Sequence, residues 1–208
     1  MFSWNAIKSH FGEMRGYVAF STILLLAGIV VGGTNVQLEA FMESQIKGLE
    51  QLVEMAESSN NPTLFMFGLI FLNNAIKSVL VMYLGVVLGI VPILFLLING
   101  MVLGYLFTKL ADQGANVLAI FVKGILPHGI IEIPAIIVAC AYGIRFGMLS
   151  LRGAGLLVKR KPGFGAEYER FAARTVPVMI LLVAALLVAA IIESTFTAWL
   201  MQDIQRSM

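Results

Sequence analysis

Apolar residues run along this chain almost without a break for stretches of about 20 positions, the length a helix needs to cross a bilayer core. The stretches are Tyr17 to Val36, Leu64 to Tyr83, Val87 to Phe107, Val117 to Arg145 and Thr175 to Thr197. They predict an all-α, polytopic membrane bundle of about five transmembrane helices, because only internally hydrogen-bonded elements cross lipid. Residues 1–208 then form a single membrane domain. From Leu64 to Phe107 the chain is almost continuously apolar, interrupted by Asn73, Asn74 and Lys77, and the only turn signals are Gly85, Gly89 and Pro92. A tight hairpin is expected there, with a broken or re-entrant helix as the alternative.

The fourth stretch is longer than a bilayer requires and carries Pro127 and Pro134, with Gly124 and Gly129 beside them. It predicts a broken or re-entrant segment that dips in, breaks near Leu126 and Pro127, and continues as a full helix toward Arg145.

Residues 37–60 follow a different pattern. Leu38, Phe41, Met42, Ile46, Leu49, Leu52, Val53 and Ala56 recur at helical spacing opposite a row of glutamates, and Asn60, Asn61 and Pro62 close the run. This predicts an external amphipathic helix. Such a helix either packs on its own spans or the bilayer interface, or docks a partner. In the second case Glu39, Glu43, Glu50 and Glu54 are the candidate contacts. An acidic face disfavours attraction to anionic lipid.

Composition agrees with the pattern: 59% of the 208 residues are hydrophobic and 12% charged, the balance of an integral membrane protein. The net charge of +2 matters less than where the charges fall. Lys8 and Arg15 precede the first span, and Arg152, Lys159, Arg160, Lys161, Arg170 and Arg174 lie within 148–174. By the positive-inside rule these ends are cytoplasmic, so 148–174 is expected as a basic cytoplasmic loop, the N-terminus inside and the C-terminus outside. Orientation alone accounts for that loop; an anionic-lipid or cytoplasmic partner contact is the alternative. The first span has the flanks of a signal peptide but no clear small-x-small cleavage site, so a retained anchor is expected. Cys140 has no second cysteine to pair with and is expected to pack. No basic-aromatic surface or zinc-finger spacing points to nucleic acid. Gly85, Gly89, Gly100 and Gly104 are spaced for close helix contacts, within one bundle or between the copies of a homodimer.

Charge inside the apolar stretches carries the candidate chemistry. His128 and Glu132, four residues apart, share one helical face. Asn73, Asn74 and Lys77 fall near the middle of the second span and Asn99 near the middle of the third, so a polar midplane cluster is expected. A charged residue at mid-span costs roughly 2.5 to 3.5 kcal/mol on insertion scales, so its members should be paired. Three readings fit. The cluster is a structural lock in which Glu132 pairs with Lys77 or His128. It is a transition-metal site for Zn or Fe, with His128 and Glu132 as two ligands and others from another helix or subunit. Or it is the acid-base pair of an intramembrane, peptidase-like hydrolase or a proton-coupled transporter. For the hydrolase, HGIIE is not the H-E-x-x-H of zinc proteases, His10 lies in the N-terminal tail, and no G-x-S-x-G elbow occurs.

Three blocks in order, FLNNAIKS at Phe71 to Ser78, INGMVLGYL at Ile98 to Leu106 and LPHGIIEIPA at Leu126 to Ala135, followed by Gly143 and Gly147, resemble the stage II sporulation protein M family of bacterial membrane proteins. The resemblance runs from the first span to the last. Its motif falls on Asn73, Asn74, Asn99, Gly100, His128, Gly129 and Glu132. It implies a multi-pass protein of the bacterial cytoplasmic membrane, associated in spore formers with forespore engulfment. There the family works with partners that carry peptidoglycan-degrading activity outside the membrane. The expected function is therefore a scaffold or anchor of a sporulation or septal wall-remodelling complex, more a binder than an enzyme. The alternative is a metal-binding membrane enzyme or transporter built on His128 and Glu132.

Overall fold

The computed structural model describes residues 4–201, apart from 36, 38 and 159–163. These residues form α1 (Trp4–Thr34), α2 (Glu39–Glu57), α3 (Pro62–Leu84), α4 (Ile90–Asp112), α5 (Val117–Ile120), α6 (Leu126–Val158) and α7 (Phe164–Ile192), with no strand among them. Two π-helical turns interrupt the pattern, one at Phe121–Ile125 between α5 and α6 and one at Glu193–Thr197 after α7. Five helical segments are long and apolar enough to cross a membrane: Gly12–Thr34, Pro62–Leu84, Ile90–Asp112, Val117–Ala154 and Glu167–Met201.

Local chemistry sets the boundaries. Asn61 caps α3 by accepting from the Leu64 N–H at 3.1 Å, with Pro62 in the first turn, where its missing N–H costs nothing. The hairpin between α3 and α4 is tight, closed by the Gly89 N–H donating to the Gly85 carbonyl at 2.7 Å, with positive φ at Leu88 (56°) and Gly89 (73°).

The expected break in the fourth span takes a specific form. The chain stays helical from Val117 onward, and the interruption is the π-turn, in which the Leu126 N–H bonds to the Phe121 carbonyl five residues back. Pro127 has no N–H to donate to Lys123, so the ladder is already short of one bond here and widens by a residue. Pro134 is accommodated inside α6.

The basic segment 148–174 differs from the loop expected of it. α6 runs on to Val158 and α7 begins at Phe164, so Arg152, Arg170 and Arg174 sit on helices. Gly153 and Gly155 each cost a helix about 1 kcal/mol, too little to end it, and the first strong breaker in the sequence is Pro162 followed by Gly163. Lys159, Arg160 and Lys161 lie outside the described residues.

Glycine contacts assemble the bundle. Gly28 and Gly32 of α1 lie against Leu97 and Met101 of α4, and Gly100 and Gly104 of α4 lie against Leu25 and Ile29 of α1. A second seam places Gly85 against Gly143 and Gly147 against Gly89. Lipid tails are as apolar as leucine, so helices in a bilayer associate through close backbone approach and dispersion rather than through the hydrophobic effect. The four glycines that left a homodimer open are thus used within one chain. Cys140 is buried beside Leu25, Val81, Leu96 and Ile137, as a packing residue would be.

At the end of the bundle where α1 begins, Tyr142, Phe146 and Phe171 form an aromatic core, with Phe146 and Phe171 edge to face at 4.8 Å. Arg145 lies against it, 4.7 Å from the Phe171 ring, and pairs with Glu13 at 3.1 Å. Arg174 joins the same carboxylate at 3.8 Å.

Candidate functional site

Polar groups from three helices meet inside the bundle. α3 supplies Asn74, α6 supplies His128 and Glu132, and the π-turn that follows α7 supplies Glu193 and Thr197. Pro127 fits the first turn of α6 and places His128 just past the upstream π-turn, and the four-residue step to Glu132 keeps both on one face. The π-turn at Glu193–Thr197 presents its first and last residues to the same place, with the Ala198 N–H bonded five residues back to the Glu193 carbonyl. π-turns of this kind recur at functional sites.

One ligand atom from each of His128, Glu132 and Glu193 lies within 4.8 Å of the others. His128 Nε2 is 3.9 Å from Glu193 Oε2, and its Nδ1 is 3.3 Å from Thr197 Oγ1. The Asn74 side chain lies beside the Glu132 carboxylate. Asn73 Nδ2 in turn donates to Asn74 Oδ1 at 3.2 Å. The second Glu132 oxygen, Oε2, is buried with no hydrogen-bond partner among the described residues. On the side facing α1 and α4, His128, Gly129 and Glu132 border a cavity of ≈ 170 Å³ that is also lined by Leu25, Asn99 and Val102. Asn99 Nδ2 donates to the Phe95 carbonyl at 2.7 Å, which ties its amide to its own helix.

The expected cluster is therefore partly assembled. Asn74, Asn99, His128 and Glu132 converge, and Asn73 reaches the group through Asn74. Lys77 is exposed on α3, and the contact described within the cluster is His128 with Glu193, an ion pair only when the imidazole is protonated, and not Glu132 with Lys77. A lysine's flexible stem can carry its charge toward the membrane surface, so mid-span position alone does not commit it to the interior. Sequence reasoning passed over Glu193 and Thr197. The signal for Glu193 was present, since a carboxylate within an apolar span demands a partner.

The amphipathic helix α2 packs on its own bundle through Met42 and Ala56. Its Glu43 accepts from Lys109 Nζ of α4 at 3.2 Å, and Lys109 also donates to Tyr105 Oη at 3.3 Å. Glu39 and Glu54 remain exposed, as do Phe41, Val53 and Met55; the Glu50 side chain lies outside the described residues.

Residues 21–198 match the family model for stage II sporulation protein M. An uncharacterized protein of the archaeon Methanocaldococcus jannaschii is 30% identical over 121 residues, which is 58% of this chain and 52% of that protein. The chain thus spans about half the length of the curated relative it matches. No solved structure matches.

Proposed function

The chain belongs to the stage II sporulation protein M family, and on that premise we propose that it is a multi-pass scaffold holding extracytoplasmic peptidoglycan hydrolases at the membrane during engulfing or septal wall remodelling. The observation that carries the reading is α2. Its inner face is committed to the bundle through Met42 and the Glu43–Lys109 pair, while Glu39, Glu54, Phe41, Val53 and Met55 all remain exposed. Exposed acidic and exposed apolar side chains on different sides of one helix suit a partner that wraps it with a basic rim and an apolar pocket.

The reading requires α2 outside and the α6–α7 connection inside, the orientation favoured by the basic residues. In a Cys140→Ala background, Glu54→Cys in intact cells is expected to react with a membrane-impermeant maleimide, and Arg152→Cys only after permeabilisation. The reverse pattern would rule the scaffold out, because α2 would then face the cytoplasm.

The direct test is capture. Peptidoglycan-degrading activity should co-purify with the wild-type chain and fall about 10-fold with Glu39→Lys and Glu54→Lys together, equivalent to about 1.4 kcal/mol of lost complementarity. Glu43 is left intact so that α2 stays seated. Undiminished recovery of the hydrolase from the double variant would remove α2 as the docking element.

A further inference from the structure

Glu132 and Glu193 bring two carboxylates to one place in an apolar bundle, beside an imidazole and with no lysine or arginine in the described ion pairs of the cluster. Leaving such charges uncompensated in a low dielectric is costly, and protein interiors neutralise them by protonation, by pairing or by a metal. Three observations favour a metal. Glu132 Oε2 is buried with no hydrogen-bond partner among the described residues, with the Asn74 side chain beside its carboxylate. Nδ1 of His128 meets the Thr197 hydroxyl, and a hydrogen donated there leaves Nε2 bare on the side of Glu193. Fixing one ring nitrogen so that the other can ligate is the usual support of a metal-bound histidine. Finally, Glu193 and Thr197 open and close one π-turn while a second π-turn ends just before Pro127 and His128, so both helices depart from regular geometry at the same place.

We infer that His128, Glu132 and Glu193 are three ligands of one divalent first-row transition-metal ion, with Thr197 and Asn74 orienting them and the next coordination position open toward the cavity beside Asn99. Donors about 2.0 to 2.2 Å from a tetrahedral Zn²⁺ stand roughly 3.3 to 3.6 Å apart. The 3.9 Å between His128 Nε2 and Glu193 Oε2 is already near that spacing. The widest gap in the triad, up to 4.8 Å, closes by about 1.5 Å, which rotation of the glutamate side chains can supply. One neutral imidazole and two carboxylates balance a charge of +2. The mixed nitrogen and oxygen donors, without thiolate, suit Zn²⁺, Fe²⁺ or Mn²⁺ better than Cu⁺. Three protein ligands with a vacant position are also the arrangement of sites that bind an exchangeable water or ligand, and a cavity of ≈ 170 Å³ has room for one.

The test uses the full chain in detergent, purified without a histidine tag, stripped with chelator and titrated with Zn²⁺ and with Co²⁺. One ion per chain is expected, with a Co²⁺ d–d absorption band of four- or five-coordinate strength. Glu193→Gln should weaken Zn²⁺ binding about 100-fold, Thr197→Val about 10-fold, and Lys77→Gln not at all. X-ray absorption of the Zn²⁺-loaded wild type decides the matter even if a variant fails to fold: a shell of one imidazole nitrogen and carboxylate oxygens near 2.0 to 2.2 Å is expected. No stoichiometric ion in the wild type, a zinc shell without imidazole, or Glu193→Gln binding as tightly as wild type would each overturn the inference. The first result would mark a proton-sharing carboxylate pair locked by His128. None of these outcomes bears on hydrolase capture, which α2 serves separately.

Discussion

Replacing Gly104 by leucine is expected to leave no folded monomer. The space a Cβ would occupy at Gly104 is already filled by the Ile29 carbonyl and the Gly33 amide of α1. These are backbone atoms, so they cannot rotate away as a side chain would, and the two helices must separate. Gly28, Gly32 and Gly100 share the seam, so widening it at one point loses dispersion contacts along its length. Alanine at Gly104 should cost about 1 to 3 kcal/mol, as overpacking in a tight core does, and leucine more than that. Thermal unfolding in detergent, followed by size-exclusion chromatography, reads the effect. Gly68→Ala is the control, because a Cβ there meets nothing within 4 Å, and it should leave the midpoint equal or slightly higher. A Gly104→Leu chain that melts like wild type would mean that α1 and α4 do not pack through this seam.

Arg145→Met should be the next most damaging change. The guanidinium is mostly buried, with 18% side-chain exposure, and it meets the Glu13 carboxylate, the Met14 sulfur and the face of Phe171 together. Methionine keeps the length of the side chain but removes the charge-assisted hydrogen bond and the cation–π contact. The expected loss is about 2 to 3 kcal/mol. Glu13→Gln should cost less, because Glu13 is the more exposed partner and an amide can still accept from Arg145. The two losses should not add in the double variant, and that coupling separates a direct pair from two independent sites. Full additivity would show that Arg145 acts through the aromatic core alone.

What could be read before the fold was known, and what could not, divides along a physical line. The spans were legible because bilayer thickness fixes their length. α2 was legible because its apolar positions keep a helical period where its neighbours are apolar all round. His128 and Glu132 were legible as a pair because a four-residue step on one helix fixes their common face. Lys77 misled, since a position halfway along a span says nothing about which way its side chain leaves the helix. The segment 148–174 misled as well, because charge marks the side of the membrane and not where a helix stops.

By itself the sequence determined the helical class, the five spans, the amphipathic α2, the family resemblance and the half of the polar cluster that lies on one helix. The tertiary structure decided the rest: that Gly28 meets Gly100 and Gly33 meets Gly104 inside one chain, that Glu43 is taken by Lys109, and that Glu193 and Thr197 arrive beside His128. Hydropathy reports how deep a residue lies along the membrane normal. Its direction around the helix axis is set by which neighbours the backbone can approach, and that belongs to the packed bundle and not to any one segment.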